Sequence, residues 1–167
     1  MGLSVFPAAS TGGDNWVEIA SQSPTSGTTV TFSSISSSYK KLILVATNIL
    51  LSASDACIIT FNSVTSAHSY QYSSASSTEP GGFVSATNIR SSTNNDRHSA
   101  LLFITNPSGT VPVLFNGYIA ASPGATGRTV NNGIMPGLTS AVTSIILDYT
   151  ASISGSNVGT IKVYGTV

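Results

Sequence analysis

The chain has 167 residues, with six Lys/Arg balancing six Asp/Glu. Charged residues are 7% of it, where a soluble domain ordinarily carries about 25%. So few cations with no excess charge cannot build a phosphate-binding surface, which excludes nucleic acid as the main partner. Two His and one Cys cannot complete a zinc site, and 41% hydrophobic residues exclude a disordered tract.

Residues 1–15 open with Leu3, Val5, Phe6 and Pro7 and continue in Ala, Ser, Thr and Gly. They read as an extended arm whose apolar head docks on a neighbour, or as a frayed terminus. No basic region precedes a long apolar run, so no secretory leader is expected. Trp16–Ala20 is the first short strand. Thr28–Phe32 alternates hydroxyl and apolar residues, the period of a half-buried strand. Lys41–Ile49 is almost continuous in Leu, Ile and Val, which predicts a central strand buried on both faces. Further strands are expected at Ile58–Phe61, Ser69–Tyr72, Phe83–Ile89, Leu101–Ile104, Val111–Ala121, Val142–Tyr149 and Gly159–Gly165.

Turn signals punctuate these runs: Pro24 to Gly27, Pro80 to Gly82, Asn106 to Gly109, Pro123 to Gly127, Asn131-Asn132-Gly133 and Ser154 to Asn157. Polar stretches 73–80 and 91–98 read as long loops. At most one helical turn is expected, near Ser34–Tyr39. The predicted fold is all-β: an antiparallel, jelly-roll-like β-sandwich of about eight to ten strands. The arm 1–15 precedes a single domain, 16–167.

The most apolar window, Leu42–Phe61, is interrupted by Thr47, Asn48, Ser52, Ser54 and Asp55 and is not a membrane span. Cys57, in the run Ala56-Cys57-Ile58-Ile59, is expected as a buried core thiol. The residues from which catalysis could be assembled are His68, His98, Asp55, Asp96 and Cys57. A thiolate is disfavoured in an apolar strand, no Gly-x-Ser-x-Gly elbow occurs, and the carboxylates form no recognisable pair. Asn94-Asn95-Asp96 and Asp14-Asn15 supply too few carboxylates for calcium. No catalytic residue, metal or cofactor is therefore expected. Tyr70 and Tyr72, with Trp16 and Tyr118, could stack on sugar rings, or else pack in the core or at a subunit seam.

There are 30 Ser and 20 Thr, so the exposed faces are largely hydroxyl. Such faces pack against copies of themselves without charge repulsion, and interface centres are depleted in Lys, Glu and Asp. The composition favours a subunit of a crowded assembly.

The order of strand motifs resembles a group of small virion proteins of tailed bacteriophages. The likeness is carried by Trp16-Val17-Glu18-Ile19-Ala20-Ser21, Thr29-Val30-Thr31-Phe32-Ser33-Ser34-Ile35 and Tyr39-Lys40-Lys41-Leu42. It continues in Ile59-Thr60-Phe61-Asn62, the pair Tyr70 and Tyr72, Ser144-Ile145-Ile146-Leu147 and Val163-Tyr164-Gly165. These motifs are structural, and no catalytic residue carries over. The resemblance implies a non-enzymatic β-sandwich on the outer capsid surface. It would be a decoration (cement) protein, a homotrimer bound to the major capsid protein; outside the resemblance, the apolar arm residues Leu3, Val5, Phe6 and Pro7 are the candidate capsid contact. The alternative it implies is a tail-fibre module that binds host-surface carbohydrate through Tyr70 and Tyr72.

Overall fold

A computed structural model describes residues 15–52, 55–64, 68–74, 83–86, 92–93, 97–105, 112–121, 128–135, 137–149 and 151–167. The described residues form strands and no helix. The strands are β1 (Val17–Gln22), β2 (Thr29–Phe32), β3 (Lys41–Leu50), β4 (Asp55–Phe61), β5 (His68–Ser74) and β6 (Phe83–Ala86). They continue with β7 (Ser92–Thr93), β8 (Arg97–Thr105), β9 (Val113–Ala121), β10 (Arg128–Met135), β11 (Ile145–Tyr149) and β12 (Thr160–Thr166).

Every strand pairing is antiparallel. An eight-stranded sheet runs β1-β12-β3-β8-β9-β10-β5-β6, and a four-stranded sheet runs β2-β11-β4-β7. The chain changes sheet at every step from β1 to β5, again on entering and leaving β7, and again on entering and leaving β11. Early and late strands thus lie side by side, and most of the stabilising contacts are remote in sequence.

The alternation of each strand explains the core. In β2, Val30 and Phe32 are buried while Thr29 and Thr31 are exposed. In β11, Ile145, Leu147 and Tyr149 are buried. From the large sheet, Leu42, Leu44, Leu102, Ile104, Ile161 and Val163 join the same apolar cluster. The Phe61 ring (β4) meets the Phe115 ring (β9) at 6.3 Å between centroids and 59° between planes, a tilted contact that bridges the two sheets. Cys57 is buried on β4, as expected of a core thiol.

Two asparagines hold the connections. Asn157 is 7% exposed; its Oδ1 accepts the Leu50 and Gly159 amides at 2.9 and 3.1 Å, and its Nδ2 donates to the Pro24 carbonyl at 2.7 Å. It satisfies backbone groups from three segments where they would otherwise lie buried without partners. Asn62 does similar work after β4. At the sheet corner, Gln22 Nε2 donates to the Thr31 carbonyl at 2.7 Å and stitches β1 to β2.

Several expectations need correction. Twelve strands occur among the described residues, because β7 and β10 were not foreseen. The segment Asn131-Asn132-Gly133, expected as a turn, lies inside β10, where each residue pairs with both β9 and β5. Pairing on both sides overrides the local turn preference of Asn and Gly. Segment 34–39 contains no helix, in keeping with the expectation of at most one helical turn there; the Tyr39 amide donates to the Ser36 carbonyl at 3.4 Å. β3 is not buried on both faces: Leu42, Leu44 and Ala46 are buried, but Lys41 is exposed and Ile43 and Val45 are half-buried. The turn at Ser154–Asn157 is present, closed by the Asn157 amide on the Ser154 carbonyl at 2.8 Å. Gly27 in the first turn has φ 83°, which only glycine adopts without strain.

Candidate functional site

The outer face of the eight-stranded sheet is the surface of greatest interest. Solvated faces of antiparallel sheets normally carry polar side chains at alternate positions. The four-stranded sheet largely follows that rule: Thr29, Thr31 and Asp148 are exposed, and Thr29 Oγ1 donates to Asp148 Oδ1 at 3.0 Å. The large sheet departs from it. Ile43 pairs with Phe103, and Val45 pairs with Leu101. Phe103 is 41% exposed and Leu114 is 48% exposed. Each has a neighbour in register on the next strand: Phe103 opposite Asn116, and Thr105 opposite Leu114.

Phe103, Thr105, Leu114 and Asn116 border a shallow groove of about 260 Å³. Trp16 stands at one side, immediately before β1. Lys41, Phe103, Thr105, Leu114 and Asn116 complete the outer lining, with Leu42, Ile104 and Phe115 beneath. The groove therefore combines two aromatic rings, a leucine, one ammonium group and a few short polar groups. Such a lining suits an apolar segment with some polar character. It presents no described carboxylate for acid–base work.

Beside the groove, Lys162 Nζ lies 2.8 Å from Glu18 Oε2, and the Tyr164 hydroxyl donates to the same oxygen at 3.4 Å. The Glu18 hydrogen bond, with its negative charge, raises the Lys162 pKa above the usual lysine value. The pair neutralises itself, so this part of the face carries little net field.

Of the residues singled out from sequence, Leu3, Val5, Phe6 and Pro7 lie outside the described residues, as do Asp14 and Asn94 to Asp96. Tyr70 and Tyr72 lie on β5, where they pair with Gly133 and Asn131 of β10. Those residues pair in turn with Phe115 and Gly117, both buried. The side chains of the two tyrosines are outside the described residues. Cys57 belongs to the four-stranded sheet, whereas His68 and His98 belong to the eight-stranded sheet. Among the described residues, no group of three or more His, Cys, Asp and Glu could hold a metal ion. No helix among them is long and apolar enough to cross a membrane.

Phe103, Leu114, Lys41 and Asn116 were not foreseen as site residues. Leu101-Leu102-Phe103-Ile104 is apolar throughout, so period alone cannot say which members face outward. Register with β3 and β9 decides it. The one usable signal was Trp16, the sole tryptophan, placed just ahead of an edge strand.

Compared with known proteins, the chain matches no family model, no curated protein and no solved structure.

Proposed function

We propose that this chain is a non-enzymatic structural protein of a tailed-phage virion. In this reading it is a capsid decoration (cement) protein that seats on the mature shell at subunit junctions. The observation that carries the proposal is the exposed cluster of Trp16, Phe103 and Leu114 at the outer face of the large sheet, in a chain with only 7% charged residues. A contiguous apolar patch on a soluble protein marks an interaction surface, and charge-poor surroundings let it pack against a neighbour. The order β1-β12-β3-β8 facing β2-β11-β4-β7 supports the jelly-roll-like form of the sandwich, with β9, β10, β5 and β6 widening one sheet. A wide sheet face offers the area that a trimer contact or a shell contact needs.

Binding only the expanded shell stabilises that state by mass action. Modest contacts repeated by symmetry then add through avidity. The partners are the major capsid protein and two further copies of the chain, and the arm Leu3–Pro7 is a second shell contact. The alternative, a tail-fibre module that binds host-surface carbohydrate through Tyr70 and Tyr72, predicts only a few copies per particle.

The test is copy number per purified particle, by quantitative mass spectrometry against the major coat protein. A ratio near one per coat subunit is expected. A few copies per particle would move the protein to the tail, and absence from the particle would overturn the reading.

A further inference from the structure

We propose that β1 is a dimerisation edge, which pairs antiparallel with β1 of a second copy across a two-fold axis. The inference does not depend on the virion reading, because an edge contact leaves the outer face of the large sheet uncovered.

Among the described strands, β1 ends the eight-stranded sheet and has β12 as its one neighbour. The side of β1 turned away from β12 presents backbone amides and carbonyls suited to a further strand. Proteins commonly blunt such edges with lysine, proline or a bulge. Val17–Gln22 contains no Lys and no Pro. Its one charged residue, Glu18, is held by Lys162 at 2.8 Å and by the Tyr164 hydroxyl at 3.4 Å. The small sheet ends on this side in β2, and there the Gln22 side chain already occupies the Thr31 carbonyl.

The register follows from which way each residue faces. Val17, Ala20 and Gln22 pair with Gly165, Val163 and Ile161, all buried, and turn inward. Glu18 and Ser21 pair with Tyr164 and Lys162 and turn outward. Matching outward to outward along the whole strand sets Glu18 opposite Ser21 of the second copy. Val17 then faces Gln22, and Ala20 meets its own copy at the axis. The register shift of β1 lies between Glu18 and Ala20, beside that axis, so both copies carry the irregularity at the same rung.

Charges across this seam are complementary. One outer row reads Lys162 and Ser21 of one copy, then Glu18 and Tyr164 of the other. No like charges face each other. Each Lys162 lies beside its own Glu18 and two strand spacings, about 10 Å, from Glu18 of the second copy. Val17, 55% exposed although its row is inward, is covered by the contact. Each chain has a single β1, so the pairing closes at two copies.

Sedimentation equilibrium of the full chain over a dilution series measures the contact. A dimer is expected, and it should dissociate more readily in high salt. Ser21→Glu sets a carboxylate opposite Glu18 of the second copy, twice in each dimer, and should weaken dimerisation about tenfold or more. Within its own chain the new carboxylate pairs with Lys162, so the far-ultraviolet circular dichroism should be unchanged. Ser21→Lys meets Glu18 with the opposite sign and should retain the dimer. A monomer at every concentration would overturn the proposal. Equal dimerisation of wild type and Ser21→Glu, or equal loss in Ser21→Glu and Ser21→Lys, would also overturn it. So would a trimer insensitive to Ser21→Glu, which would leave the virion reading standing; particle copy number tests that reading separately.

Discussion

The side-chain oxygen of Asn62 accepts the backbone amide of Thr143 at 2.8 Å, fastening the end of β4 to the segment that leads into β11. The same oxygen accepts the Thr143 hydroxyl at 3.2 Å and the Ser144 amide at 3.0 Å, while Nδ2 donates to the Ala141 carbonyl at 2.9 Å. Asn62 holds this position with φ 52°, in the left-handed region that Asn tolerates better than most residues.

Asn62→Ala should therefore cost about 3 kcal/mol, from lost hydrogen bonds to amides left without partners and from left-handed strain. Asn62→Gly should recover about 1 kcal/mol of that, because glycine removes the strain and not the lost bonds. Urea unfolding of the two variants measures the difference.

Phe61 is fully buried and meets Phe115 across the sheets. Phe61→Ala should destabilise the fold by about 3–5 kcal/mol, through lost burial and a residual cavity. A lower urea midpoint with an unchanged slope is the expected result.

Gly165 lies beneath Tyr39 and Ile19. A β-carbon there would stand 2.6 Å from a Tyr39 ring carbon and 2.7 Å from the Ile19 terminal methyl. Gly165→Ala should cost about 1–3 kcal/mol by overpacking. The thermal midpoint should fall, and the change should be read from far-ultraviolet circular dichroism.

The raised Lys162 pKa has a defined sign. Stability from its bond to Glu18 is fully present below the unfolded lysine value of 10.5 and is lost as pH rises through the higher folded value. Lys162→Met should lower the melting temperature slightly at neutral pH. The gap from wild type should close in strongly alkaline solution, and also in high salt, because the pair is exposed.

Phe103→Asp changes an outward position that is 41% exposed. Folding stability should fall by about 1–2 kcal/mol, because the ring is only 41% exposed and Asp is disfavoured in a strand, while the β-sheet circular dichroism stays unchanged. Occupancy on purified particles should fall sharply, because a charge would be buried without a partner at the proposed contact. Unchanged occupancy would remove this face from the assembly contact.

The sequence by itself determined the β class. Two-residue alternation in 29–32 and 145–149, and glycine at the first turn, are local properties that backbone geometry reads directly. It also determined the shortage of charge and the burial of Cys57 in its apolar run. Only the tertiary structure decided that Asn131-Asn132-Gly133 is strand, because the β5 and β9 partners that hold it are remote in sequence. Only register decided that Phe103 and Leu114 face outward while Leu102, Ile104 and Phe115 face the core. A continuous apolar run has no internal marker of its own two faces, and shifting its pairing by one residue exchanges them. The groove beside Trp16 exists because that pairing brings β1, β3, β8 and β9 into one sheet, an arrangement set by long-range hydrogen bonding and shared burial rather than by any single stretch of chain.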